Sequence, residues 1–245
     1  MNWPNVSTSE PSCAHSGDNG KTLLRVPVAI SEDNGKTLPA PVAIVLDMGG
    51  VLVDFDPDAI TAGLIPGAPF REDLTRDLFG SPEWLALDRG SLSTEDALTS
   101  FTRRHTDYPA DVVGLVLNDW PQVTETFDWV EDFISLARQN GLRLVLLSNA
   151  NEQFPQMRRK NPWFESFDYL CLSHQHGLLK PDLDFYRLCL KNAGFSADEV
   201  VFVDDKMVNI EAAGAVGIQG IHFHGRDGVA PLLRHLEAIG IHLAE

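Results

Sequence analysis

Residues 41–57 read PVAIVLDMGGVLVDFDP. Within them, Val42 to Leu46 is a short apolar run of the kind that makes a buried strand, and it delivers the chain to Asp47 and a tight glycine turn at Gly49 and Gly50. In open α/β sheets, ligands bind outside the carboxyl ends of the strands. A carboxylate at that end of an apolar strand is therefore a candidate nucleophile or metal ligand, provided that the rest of the chain supplies partners for Asp47.

Downstream of Asp56 the pattern is helical to about residue 126. Ser81-Pro82 sets a cap and a first-turn proline before Trp84, Ser93 with Asp96 resembles a capping box, and Pro109 with Asp111 opens a helix carrying Val112, Val113, Val116 and Leu117. No strand pattern interrupts this stretch, which reads as a lid or cap of helices inserted after the first strand. From Phe127 onward helix and strand alternate, the signature of a parallel sheet covered on both faces. Strands are expected at Leu142 to Leu147, Tyr169 to Leu172, Val200 to Val203 and Ile218 to Phe223. The organisation expected is an α/β core over residues 41–56 and 127–245, with a helical cap over 57–126.

Residues 1–40 are rich in Ser, Pro, Asn and Gly and nearly repeat themselves, SGDNGKTLLRVPVAI from Ser16 being followed by SEDNGKTLPAPVAI from Ser31. Two copies do not make a solenoid, and a poorly ordered extension is expected. Each copy holds Gly-Lys-Thr, at Gly20 and Gly35. A phosphate loop is rejected because His15 and Ile30 stand where its first glycine belongs.

The formal charge of -16 argues against nucleic acid or an anionic membrane as a partner. A small anionic substrate would need a metal, a lysine or backbone amides beside it. Cys13, Cys171 and Cys189 form no C-x-x-C pair and are odd in number, which fits a reducing cytoplasm better than a disulfide framework. No window approaches the ~18 apolar residues of a membrane span, and no secretory signal accompanies the sequon at Asn5.

Three predicted strands end in polar groups: Asp47, Ser148-Asn149 and Asp204-Asp205. Lys180 precedes a proline at a helix start between the second and third. Singly each reads as a helix cap. Together, on parallel strands, they converge on one edge of the sheet, and capping explains neither Lys180 nor the tandem aspartates. Two carboxylates at about 4 Å repel by about 4 kcal/mol at an effective dielectric of 20. A hard divalent cation such as Mg²⁺ removes that cost. Asp47, Asp204 and Asp205 are then metal candidates, with Ser148, Asn149 and Lys180 placed to bind phosphate.

The segments Asp-Met-Gly-Gly-Val-Leu at 47–52, Leu-Ser-Asn-Ala at 147–150, Lys-Pro-Asp at 180–182 and Val-Asp-Asp at 203–205, followed by Asn209, resemble the four motifs of the haloacid dehalogenase-like hydrolase superfamily. The wording is similar to that of bacterial phosphatases acting on α-glucose 1-phosphate. The resemblance spans 41 to about 225 and implies a Rossmann-like sheet with a small helical cap, Mg²⁺ and an aspartyl-phosphate intermediate. It implies Asp47 as nucleophile, the Gly49 carbonyl with Asp204 or Asp205 on the metal, and Ser148 and Lys180 on the phosphoryl group. Asn149 and Asn209 support the site.

One position departs from the pattern. Phosphatases of the superfamily usually carry a second aspartate two residues after the nucleophile as general acid and base, and here that residue is Gly49. General acid-base catalysis contributes about 10²- to 10⁴-fold, so its loss slows such an enzyme without abolishing it. Asp54 and Asp56 are nearby substitutes to consider. The same gap keeps two alternatives open: a metal-independent 2-haloacid dehalogenase, against which the tandem aspartates argue, and a catalytically silent phosphate- or partner-binding domain. Among lesser signals, Asp54-x-Asp56-x-Asp58 fails as a calcium loop because Ala59 replaces the glycine and Ile65 the bidentate glutamate. His174-x-His176 and His222-x-His224 have metal-like spacing, the second alternating along a strand, and a zinc site is not expected. Trp84 and Arg89 are the cap residues to consider as substrate-facing.

Overall fold

The computed structural model describes residues 40–244, so the N-terminal duplication lies outside the described residues. Five strands make one sheet: β1 (Ala43–Leu46), β2 (Arg143–Ser148), β3 (Tyr169–Leu172), β4 (Val200–Asp204) and β5 (Gln219–His222). All pairings are parallel, in the order β3-β2-β1-β4-β5. The central strand is β1, every residue of which is buried, and it pairs with β2 on one side and β4 on the other.

Continuous apolar strands follow from this arrangement, since both faces of a covered parallel sheet are dry. Ile44, Leu46, Leu144, Leu146, Val201 and Val203 face one core layer, shared with α6 (Val130–Gln139) and α10 (Val229–Ala238) through Phe133, Ile134, Leu232 and Leu236. Ala43, Val45, Val145, Leu147, Val200 and Phe202 face the other, shared with α8 (Leu183–Ala193) and α9 (Met207–Ala215) through Phe185, Tyr186, Ile210 and Ala213.

Between β1 and α6 the chain forms five helices: α1 (Pro57–Leu64), α2 (Arg71–Phe79), α3 (Pro82–Arg89), α4 (Thr94–Arg104) and α5 (Ala110–Val123). The expected caps are present: Ser81 accepts from the Trp84 amide at 3.0 Å and Ser93 from the Asp96 amide at 3.1 Å. The insertion leaves and rejoins the core at adjacent points, where the Asp54 amide donates to Glu125 O at 2.8 Å and the Phe127 amide to Leu52 O at 3.2 Å. A second attachment lies at α4, whose Thr94 amide donates to Glu152 Oε1 at 2.7 Å in the loop after β2. The remaining helix, α7 (Phe154–Lys160), follows that loop. No helix of the described residues is long and apolar enough to cross a membrane.

Candidate active site

Strand register brings the functional ends together. With Leu46 opposite both Leu146 and Val203, Asp47, Ser148 and Asp204 emerge at the same edge of the sheet, and the Asp47 amide donates to Val203 O at 2.9 Å. Ligand atoms of Asp47, Asp204 and Asp205 all lie within 4.8 Å of one another.

Lys180 is buried between two of these acids, its Nζ 2.7 Å from Asp47 Oδ1 and 2.7 Å from Asp204 Oδ2. Desolvation opposes the ammonium, but the two carboxylates outweigh it and hold the Lys180 pKa above its ordinary value. Burial pushes the Asp47 carboxyl up to about 7, with Lys180 pulling it down and Asp204 and Asp205 pushing it up. Both donors to Asp47, Lys180 and the Met48 amide at 2.7 Å, fall on Oδ1.

Asp204 and Asp205, adjacent in sequence, differ in their surroundings. Asp204 is fully buried and saturated: the Lys206 amide and Asn209 Nδ2 donate to Oδ1 at 2.8 and 2.9 Å, and Lys180 and Asn209 to Oδ2 at 2.7 and 3.0 Å. Asp205, by contrast, has a buried Oδ1 with no hydrogen-bond partner among the described residues, and burial raises its pKa. A cation fits here. Three clustered carboxylates share one buried ammonium, Lys180, and the orphaned oxygen points to a ligand still to be added. Gly49 follows Asp47 by two residues on the turn closed by the Gly50 amide to Val53 O at 2.8 Å. Gly50 has φ +78°, and a Cβ there would overlap Asp205 Oδ2.

Ser148 is buried at the end of β2. The Asn149 side chain is engaged with the Lys180 backbone, and Asn209 with Asp204. Asp54 and Asp56 are not free to replace the acid missing at Gly49. Arg226 binds both, at 2.7 and 2.8 Å, and its hydrogen bond holds Asp56 below the usual carboxylate range. Trp84 is packed rather than open, 7% exposed among Phe55, Phe79 and Trp120. Arg89 is exposed and pairs with no carboxylate among the described residues. His174 Nδ1 is used by Ala150 O at 2.7 Å and His222 Nε2 by Asp205 O at 2.8 Å. Sequence reasoning missed Asp88 on α3, a half-buried acid whose carboxyl feels both Asp47 and Lys206.

A family model described as haloacid dehalogenase-like hydrolase matches residues 42–217. The chain is 27% identical over 199 residues to the sesquiterpene phosphatase astK of Aspergillus oryzae, covering 81% of this chain and 96% of that protein. It is 28% identical over 186 residues to the phosphorylated carbohydrates phosphatase of Thermotoga maritima, covering 74% and 83%. A 28% match to the drimenol cyclase drtB of Aspergillus calidoustus covers 79% of this chain but spans only 36% of that relative's length. Among solved structures, an HAD family enzyme from Bacteroides thetaiotaomicron in complex with magnesium and inorganic phosphate has a TM-score of 0.64 at 20% identity, covering 79% of this chain and 100% of that one.

Proposed function

The chain belongs to the haloacid dehalogenase-like hydrolases, and from that premise we propose that it is a Mg²⁺-dependent phosphatase that cleaves a small phosphorylated metabolite through an aspartyl-phosphate on Asp47. One observation carries the reading. The three clustered acids include one, Asp205, with an orphaned buried oxygen, beside a lysine already committed to the other two.

In this mechanism Lys180 and the Met48 amide hold Asp47 Oδ1, which orients Oδ2 toward phosphorus. Asn209 and the Lys206 amide fix Asp204, and Asp204 in turn fixes Lys180, so the ammonium is preorganised for the phosphoryl oxygens. Ser148 donates to the same group from the end of β2. Mg²⁺ held by Asp47, the Gly49 carbonyl and Asp205, with Asp204 behind them, would supply positive charge to phosphoryl oxygens and to an otherwise repelling cluster.

A sugar phosphate such as α-glucose 1-phosphate is the substrate form we place first, supported by the likeness to a phosphatase named for phosphorylated carbohydrates. An anomeric phosphate also suits a site without an acid at Gly49, because its leaving group departs with less help. A cytoplasmic setting accords with Cys171 and Cys189 as buried free thiols.

The test is a phosphate-release screen over sugar, prenyl and acyl phosphates and 2-haloacids, with and without Mg²⁺, on wild type and Asp47→Asn. Metal-dependent release that disappears in Asp47→Asn is expected. Metal-independent halide release would assign the chain to dehalogenation, and phosphate binding without turnover would make it a silent domain.

A further inference from the structure

The space beside Gly49 is tight. A Cβ there would lie 3.2 Å from Phe55 Cβ, so a side chain at this position requires Phe55 to give by a few tenths of an ångström. Phe55 packs against Trp84, ring centroids 6.1 Å apart, and Asp88 follows one helical turn further along α3, where Trp84 lowers the pKa of its carboxyl. Asp88 is also fastened to the core. Ser173 Oγ donates to Asp88 O and accepts from the Ala150 amide at 2.8 Å, two residues beyond Ser148. Gly90, at φ +74°, sits so close to His174 O that any Cβ would overlap it. The end of α3 is thus seated on the loops after β2 and β3, close enough to the site for Asp47 to act electrostatically on the Asp88 carboxyl.

We infer that Asp88, delivered by the helical insertion, is the proton donor and acceptor of the reaction, the role that Gly49 cannot fill and Arg226 denies to Asp54 and Asp56. The inference rests on the phosphatase reading above. In the first half-reaction an Asp47 oxygen bonds to phosphorus and the P–O bond to the leaving group breaks. Its electron pair stays on the leaving oxygen, which takes the proton from Asp88. In the second, the Asp88 carboxylate takes a proton from water, the water oxygen bonds to phosphorus, and the P–O bond to Asp47 breaks with its pair returning to the carboxylate. Ester and water become alcohol and phosphate, and Asp88 ends as it began. Among the described residues the charged groups acting on it are Lys206, before α9, and Asp47, just after β1, while the His174 ring on the third neighbouring element is bound to Ala150 O. Burial pushes the Asp88 carboxyl up to about 7, against the lowering effect of Lys206 and Trp84, so both protonation states are accessible near neutral pH.

The experiment compares wild type, Asp88→Asn and Asp88→Glu with Mg²⁺ on p-nitrophenyl phosphate, whose phenolate leaves without a proton, and on an alkyl phosphate. In Asp88→Asn, alkyl phosphate turnover is expected to fall by about 10²- to 10⁴-fold. With p-nitrophenyl phosphate the same variant releases one equivalent in a burst and then stalls, its intact mass raised by one phosphoryl group. Asp88→Glu restores part of the turnover with a displaced pH profile. A burst and steady state reduced alike, or wild-type turnover in Asp88→Asn, overturns the inference. Should Asp88→Asn fail to fold, an Asp88→Glu pH profile identical to wild type overturns it as well. If wild type releases phosphate and Asp47→Asn does not, the phosphatase reading stands whatever Asp88 does. If wild type releases none, both fall.

Discussion

Asn149 and Lys180 hold each other in a closed pair: Asn149 Nδ2 donates to Lys180 O at 3.1 Å, and Asn149 Oδ1 accepts from the Lys180 amide at 2.8 Å. The residue after β2 thereby fixes the backbone that aims the Lys180 ammonium. Asn149→Ala leaves a half-buried donor and acceptor bare and should cost about 1–3 kcal/mol. A lower denaturant midpoint together with a reduced kcat is expected, and Asn149→Asp, which keeps only the acceptor, should fall between.

Asp204 and Asp205 should separate in their phenotypes. Asp205→Asn alters a carboxylate whose Oδ1 has no hydrogen-bond partner among the described residues, so the metal-free fold should hold while the Mg²⁺ needed for half-maximal activity rises at least about tenfold. Asp204→Asn breaks a buried ion pair with Lys180 and should destabilise the metal-free protein by about 3–5 kcal/mol. Equilibrium unfolding without metal and Mg²⁺ titration calorimetry distinguish the two.

Within the insertion, Glu83 on α3 is buried against Arg104 and Ser100 of α4. Desolvation opposes its ionisation, but Arg104 and Ser100 prevail and hold its carboxyl below the usual glutamate range. Since the folded value is the lower one, the pair stabilises the fold fully above the unfolded glutamate pKa. That contribution is lost as pH falls through the depressed folded value. Arg104→Gln should cost about 1–2 kcal/mol at pH 7, the half-exposed guanidinium being partly screened. The gap from wild type in thermal melts should close in acid.

Gly50→Ala combines a strained backbone with a collision on Asp205, whereas Gly67→Ala, at φ +77° with none of the described residues within 4 Å of a new Cβ, carries the strain alone. Both should lose about 1–2 kcal/mol from the left-handed conformation. A further loss of stability and weaker Mg²⁺ affinity are expected for Gly50→Ala only.

Much of the core was legible because its signals are local. The buried strand ending at Asp47, the Ser81 and Ser93 caps and the polar strand ends each follow from a few adjacent residues, and parallel strands bring those ends to one edge. What stayed hidden depends on long-range contact. Arg226 reaches Asp54 and Asp56 from about 170 positions away in the chain, so neither acid is free as proximity to Gly49 implied. Asp204 and Asp205 read alike until the donors on Asp204 are counted. Asp88, within Leu-Asp-Arg-Gly, looks like any helix-surface acid until Ser173 and His174 seat α3 on the core.

The influence of Trp84 on Asp88 has one more outcome. Because the indole is buried in an aromatic nest and acts on a group titrating near neutrality, intrinsic fluorescence becomes a reporter of that ionisation. A change in emission across pH 7 in wild type, absent in Asp88→Asn, would follow the proton without any substrate present.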